Sequence, residues 1–248
     1  MYNNREIIIT LTSWPKRISN VYYTIKSLLK NDVLPDKIFI NLALDEFPNK
    51  ENDLPNELLK IMSENENIIV QWLKYNTYTF KKLIPTVKYL KTNNYKNPAY
   101  ILTVDDDKIY NTYYIHAMCD FIYYCDAVTL HDEKTLTRDD YTLVGNRSIY
   151  KSEIFDDNFL YLLEDTSDVA NEIINTKQDD IYYTVYLTLK NKKINFLYFN
   201  KSAFGNIIET LVKTFNDDFA LSNNGKYQEK FVRSTKSKIK GYIINNRL

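Results

Sequence analysis

The sequence predicts an α/β protein with a mainly parallel, Rossmann-like central sheet, helices on both faces and a C-terminal helical extension. Three observations predict it. Compact apolar runs of strand length alternate with segments whose apolar residues recur at helical spacing. Proline and Asp punctuate the junctions between them. The first hundred residues read β-α-β-α-β-α-β, the order in which right-handed crossovers build a parallel sheet.

Each element has a local warrant. Residues 7–11 form a β-branched run suited to a buried strand. Ser19 or Asn20 is placed to cap a helix whose Val21, Ile25, Leu28 and Leu29 share one face. Pro35-Asp36 ends that helix, and KIFINLAL follows as a second strand. Pro55 opens a helix carrying Leu58, Leu59 and Met62. IIVQWL is a third strand. FKKLIPTVKYL is a helix in which Pro85 must sit in the first turn or cause a kink. Pro98 leads into a fourth strand, AYILTV. A Tyr-rich helix is expected over 112–125, short strands near 126–130 and 142–145, helices over 165–175 and 180–190, and a strand at INFLYF. From Asn206, the residues Ile208, Leu211, Val212, Phe215 and Phe219 recur at helical spacing, and the stretch from Lys226 is polar and basic. The expected division is a catalytic domain over 1–205 and a C-terminal helix with a basic tail over 206–248.

Composition narrows the function. Lys and Arg number 32 and Asp and Glu also 32, so overall charge steers the chain to neither nucleic acid nor membrane. Cys119 and Cys125 are six apart in a helical segment, where they would not share a face, and no CxxC pattern exists. No apolar run approaches the ~18 residues of a membrane span. These features read as a cytoplasmic protein kept in a reducing compartment. Between Lys226 and Arg247 seven basic side chains face one acid, Glu229. That stretch reads as a solvated, mobile tail or as a peripheral contact with anionic lipid at the inner face of the membrane. No P-loop or GxGxxG is present, which argues against an ATPase or a dinucleotide enzyme.

The informative segment is ILTVDDDKIY, a hydrophobic strand ending in Asp105, Asp106 and Asp107. In open α/β sheets ligands bind beyond the carboxyl ends of the strands, where these carboxylates lie. If the chain stays extended, Asp105 and Asp107 point the same way, ~6.5–7 Å apart, and Asp106 faces away. Such a pair suits Mg2+ or Mn2+ shared with diphosphate oxygens. The plainer reading is a solvated turn. A second acidic pair, Asp179-Asp180, stands at the start of a helix. Asp is a common N-cap there, yet the pair is also placed to supply a base from a different element than the metal site.

Five segments together resemble bacterial GT-A glycosyltransferases related to glycosyltransferase family 2, of the kind found in polysaccharide biosynthesis clusters. They are ITLTSWPKRI, SLLKNDVLPDKIFINLALDEFP, FKKLIP, ILTVDDDKIY and QDDIYY, which occur in the family's order and cover most of residues 6–190. The resemblance implies a GT-A fold, a nucleoside-diphosphate sugar donor and a divalent metal, Mn2+ or Mg2+. It implies that Asp105 and Asp106 lie near the sugar or ribose, that Asp107 is the main metal ligand and that Asp180 is the base. Thr12, Arg17 and Asp45 would line the nucleotide pocket, and Lys82 would approach the donor. His131 corresponds to a family His and reads either as a further metal or substrate ligand or as a polar residue satisfied at a strand end. The family usually has Trp where this chain has Tyr182, and its Gly-rich stretch is reduced here to Gly145 followed by Asn146 and Arg147.

The expected function is metal-dependent transfer of a sugar from a nucleoside-diphosphate sugar to a hydroxyl of a glycan or polyprenyl-linked acceptor, with inversion. A nucleotidyltransferase on a similar sheet is the competing enzyme class. It would need a basic cluster near the first βα loop, for which Lys16 and Arg17 are a weak version. A carbohydrate-binding or assembly subunit with a degenerate site is the competing non-enzymatic class.

Overall fold

The computed structural model describes residues 1–93, 95, 97–132, 143–145, 147–199, 212–214 and 229–246. A seven-stranded sheet runs through it. In chain order the elements are β1 (Glu6–Thr12), α1 (Ile18–Leu28), β2 (Lys37–Ala43), α2 (Asn56–Ser63), β3 (Ile68–Leu73), α3 (Ile84–Thr92), β4 (Ala99–Thr103), β5 (Lys108–Tyr110), α4 (Tyr114–Phe121), β6 (Ala127–Asp132), β7 (Ser148–Lys151), α5 (Asp168–Asn175), α6 (Asp179–Leu189), β8 (Ile194–Phe199), β9 (Val212–Thr214) and α7 (Glu229–Asn245). The sheet order is β3-β2-β1-β4-β7-β6-β8. β3, β2, β1 and β4 are parallel neighbours, β7 runs antiparallel between β4 and β6, and β8 is parallel to β6.

The alternation within β1 explains the two layers. Ile7, Ile9 and Leu11 point to a core shared with Val21, Ile25 and Leu28 of α1, Leu58 of α2 and Met118 of α4. Ile8 points to the opposite core, with Phe39, Val87 of α3, Ile173 of α5, Tyr182 of α6 and Ile239 of α7. Burial on both faces accounts for strands that read as unbroken apolar runs. Pro85 sits in the first turn of α3, where its missing N–H costs nothing.

The second core is rich in aromatic rings. Phe159 is fully buried, with its centroid 4.4 Å from that of Phe155, 5.0 Å from Tyr186 and 5.7 Å from Tyr183. These rings tie the 3-10 segment Asp157–Leu163 to α6. Phe159→Ala is expected to cost about 3–5 kcal/mol, because neighbouring rings cannot collapse into the space of a lost ring. A urea titration checks this, and a loss below about 1 kcal/mol would show that the cluster does not anchor α6.

Several expected elements differ. The helix over 112–125 is confined to Tyr114–Phe121. The strand expected at 142–145 is absent over the described residues 143–145, and the strand forms at Ser148–Lys151 instead. The Gly145 amide donates to Ser148 Oγ and its carbonyl accepts from Thr103 Oγ1, so side chains and not a ladder satisfy that backbone. Neither Ser19 nor Asn20 caps α1, which begins at Ile18 after Arg17. Of the helix expected from Asn206, the described part, Val212–Thr214, is a strand paired with β5, and 206–211 and 215–219 lie outside the described residues. The stretch read as a mobile basic tail is helix α7 over 229–245, with Thr235, Ile239, Tyr242 and Ile243 buried. Its basic residues hid an apolar stripe at helical spacing. Among the described residues no helix is long and apolar enough to cross a membrane. Cys119 and Cys125 are buried free thiols.

Candidate active site

β4 ends at Thr103, and the chain turns through Asp106-Asp107 before β5 begins at Lys108. α1 holds that turn. Thr24 Oγ1 donates to the carbonyls of Asp106 (3.0 Å) and Lys108 (2.9 Å), and the Tyr110 amide donates to Ser27 Oγ (3.0 Å). The Asp105 amide donates to the Tyr110 hydroxyl (2.9 Å). β9 pairs with β5 on its other side. The extended geometry expected for the three carboxylates is therefore replaced by a turn, and Asp106 does not face away from Asp107. Both reach Arg17 Nη2, at 2.7 Å from Asp106 Oδ1 and 2.6 Å from Asp107 Oδ2. Ser13 Oγ adds a hydrogen bond to Asp106 Oδ2 at 2.6 Å.

Asp105 turns to Lys82 instead, with Lys82 Nζ 2.6 Å from its Oδ1. Lys82 lies in the 3-10 turn Tyr78–Lys82 beyond β3, and its carbonyl is anchored by Thr10 Oγ1 of β1. Burial pulls the Lys82 ammonium down, but Asp105 and then Asp179 outweigh it, and its pKa is raised. Burial likewise pushes Asp105 up, and the charge and hydrogen bond of Lys82 bring it below the ordinary carboxylate value. The neighbouring Lys81 is turned away, to an ion pair with Glu46.

Asp179 and Asp180 open α6. Asp179 is buried, and burial raises its pKa beyond what the Lys82 charge offsets. Asp180 is half-buried, with Oδ1 accepting from the Ile181 amide at 2.9 Å. Its pKa is raised by burial first and by Asp179 second. Burial also lifts Asp106 to about 6 against the pull of Arg17. Lys82 is thus paired with Asp105 of the acidic turn and feels the charge of Asp179 at the acidic helix start.

The other residues singled out are placed as follows. Thr12 Oγ1 donates to the Asn41 carbonyl at 2.7 Å, so it locks β1 to β2. Asp45, exposed beyond the end of β2, accepts from the Asn76 amide at 2.9 Å and fastens the loop after β3. Both hydrogen bonds run to β2 and to the loop after β3, whereas Arg17, Lys82 and Asp105–Asp107 are brought together. His131 lies near the end of β6, and its side chain is outside the described ones. Sequence reasoning missed Thr24, Ser27 and Tyr110. Thr24 and Ser27 carried a signal, because they are polar residues on the buried side of α1 between Val21 and Leu28.

The donor set bears on a metal. Asp107 Oδ1 is buried with no hydrogen-bond partner among the described residues, and Lys108 Nζ stands 3.6 Å away. A buried carboxylate oxygen left open fits a hard cation. Among the described residues no cluster of three His, Cys, Asp or Glu side chains forms a closed cage. A cation here would therefore take most of its ligands from phosphate oxygens and water, as Mg2+ commonly does.

No known family model matches the sequence, and no curated protein matches it significantly. Solved structures do match the fold. S. aureus TarS residues 1–349 in complex with UDP-GlcNAc aligns with a TM-score of 0.58 at 16% identity, over 97% of this chain and 67% of that one. The same protein with UDP aligns at 0.50 and 14% identity, over 97% and 72%. The 4-diphosphocytidyl-2C-methyl-D-erythritol synthase of Anaerococcus prevotii DSM 20548 aligns at 0.50 and 10% identity, over 95% and 96%. At such identities the likeness shows the fold, which is GT-A-like, with a Rossmann-like sheet.

Proposed function

We propose that the chain is a glycosyltransferase that moves a sugar from a nucleoside-diphosphate sugar to a hydroxyl of a glycan or lipid-linked saccharide, with inversion. One observation carries the reading. Two acidic groups about 75 residues apart in sequence stand near Lys82, Asp105 in an ion pair with it and Asp179 close enough for its charge to be felt there, beyond a GT-A-like sheet. The UDP-GlcNAc bound by the TarS structure supports a nucleotide sugar as donor class.

The residues divide the work. Asp107 and Asp105 flank the diphosphate, and Asp107 Oδ1 would hold a divalent cation that neutralises charge on the leaving nucleotide. Arg17 fixes Asp106 and Asp107 side by side. Lys82 offsets the charge of Asp105 and lies between donor and base. Asp180 takes the proton from the acceptor hydroxyl at Oδ2, because Ile181 occupies Oδ1. Its raised pKa, nearer the working pH than that of an exposed carboxylate, suits a general base.

The synthase likeness favours a second reading, nucleotidyl transfer. That chemistry needs cations free for a triphosphate at the first βα loop. Here Arg17 is committed to two carboxylates and the Lys16 ammonium lies over the Trp14 ring at 5.4 Å, which supports glycosyl transfer. The released product separates the two: nucleoside diphosphate for sugar transfer, inorganic pyrophosphate for nucleotidyl transfer.

A thermal-shift panel of UDP, GDP and CDP with and without Mn2+ tests the donor site. One nucleotide is expected to raise Tm by several degrees in Mn2+, and Asp107→Ala is expected to abolish the shift. No shift with any nucleotide on a folded protein would sink the nucleotide-sugar reading.

A further inference from the structure

We propose that Gly145, held by the hydroxyls of Thr103 and Ser148, is a positioning clamp that sets where Asp180 stands. The role as a clamp for catalysis rests on the reading of Asp180 as the base.

The contact between the two residues is too close for any side chain. A Cβ added at Gly145 would lie 2.9 Å from the Asp180 Cβ and 3.1 Å from its Cα. Those atoms belong to the first turn of α6, so they cannot yield without moving the helix. Only glycine lets a backbone approach this near.

The segment carrying Gly145 is fixed on its far side by the sheet. Its carbonyl accepts from Thr103 Oγ1 of β4, and its amide donates to Ser148 Oγ of β7 at 3.0 Å. Ser148 Oγ in turn donates to Thr129 Oγ1 of β6 at 2.8 Å. All three hydroxyl-bearing residues are buried. On the near side, the Val144 amide donates to Thr184 Oγ1 at 2.9 Å, and that hydroxyl donates to the Asp180 carbonyl at 2.7 Å. Three adjacent strands therefore press one glycine against the start of α6. Thr103 stands two residues before Asp105 on the same chain segment, so the carboxylates on the donor side and the base on the acceptor side are measured from one strand end. A direct displacement needs those two sides held at a fixed distance, and a shift of about 1 Å can cost about 100-fold in rate.

Three variants test the clamp: Gly145→Ala, Thr103→Val, and Gly241→Ala as a control, since a Cβ added at Gly241 meets nothing within 4 Å. Transfer kinetics, nucleotide affinity in Mn2+ and Tm are measured on the full chain. Gly145→Ala is expected to lower kcat about 100-fold while the nucleotide Kd stays within about twofold. Thr103→Val, which removes the hydroxyl at little change in size, is expected to lower kcat about tenfold with the same split. Gly241→Ala should match wild type. A role in general stability alone would move Tm without dividing kcat from Kd.

A stability cycle gives a readout independent of activity. Gly145→Ala is expected to lower Tm by several degrees, and by clearly less in an Asp180→Gly background, where one of the crowded atoms is gone. An additive cycle, or an unchanged kcat in both Gly145→Ala and Thr103→Val, overturns the proposal. If Gly145→Ala does not fold, Thr103→Val decides the kinetic question alone. A wild-type chain that transfers no sugar from any donor would refute the functional reading instead, and the cycle would still decide the clamp.

Discussion

Asp180→Asn is expected to lose transfer activity by about 10²–10⁴-fold and, at neutral pH, to be more stable than wild type. The two effects have one cause. Burial and the neighbouring Asp179 raise the Asp180 pKa in the folded chain above its unfolded value. A proton is therefore held more tightly in the folded state. The stability this confers is fully present below the unfolded value, near pH 4, and is lost as pH rises through the raised folded value. At pH 7.5 the wild type carries an ionised carboxylate in a poorly solvated place, and the amide does not. The variant should gain about 1–2 kcal/mol there, a Tm rise of roughly 2–8 °C. The gain should shrink as pH falls and vanish below about pH 4. Nucleotide binding in Mn2+ should persist, because the acidic turn is held by Arg17, Ser13 and Thr24 and not by Asp180. Melting curves of both proteins from pH 4 to 8, with a transfer assay, check this. Equal stability at every pH would mean that Asp180 is well solvated and is not poised as a base.

Removing Arg17 should also have a large effect on stability. Its Nη2 is shared by Asp106 and Asp107, and all three side chains are largely buried. Arg17→Ala leaves two adjacent carboxylates with no guanidinium between them, and breaking a buried pair this way costs about 3–5 kcal/mol. Tm should fall by roughly 6–20 °C at pH 7.5. Losing the cation removes the pull that offsets burial at Asp106, which already stands at about 6, so its folded pKa rises further. The deficit should accordingly grow from pH 5 to 7.5 and narrow as acid protonates Asp106. Arg17→Lys should fall between, since an ammonium lacks the planar fork. A deficit that is constant across that range, or below about 1 kcal/mol, would show that the carboxylates do not depend on Arg17.

Much of the sheet was legible because its signals are local. The runs that became β1 to β4 are apolar on both sides, and Pro55 and Pro85 sit where helices begin. Asp105–Asp107 and Asp179-Asp180 stood out as acidic runs at a strand end and a helix start, and Lys82 came from the family resemblance alone. The turn that gathers Asp106 and Asp107 on one guanidinium was not legible, because Thr24 and Ser27 fix it from a helix some eighty residues earlier. The clamp at Gly145 was hidden for a similar reason. Its backbone hydrogen bonds go to side chains on other strands, so the segment lacks the alternation of a strand and the spacing of a helix. β9 is three residues long and pairs across about a hundred positions, and its apolar neighbours suggested a helix.

That pairing has a consequence for how the chain matures. β5 follows directly on Asp107, and its strand partner is supplied only when Val212–Thr214 arrives. During synthesis the strands of the central sheet up to β7 leave the ribosome well before those three residues do. Domains condense as chain becomes available, and distant pairings form last. The outer edge of the acidic turn is therefore completed only about a hundred residues after β5 itself is made. A nascent chain stalled before position 212 would leave β5 without its strand partner beside Asp107, so on the proposed reading nucleotide binding would emerge only once that partner is made.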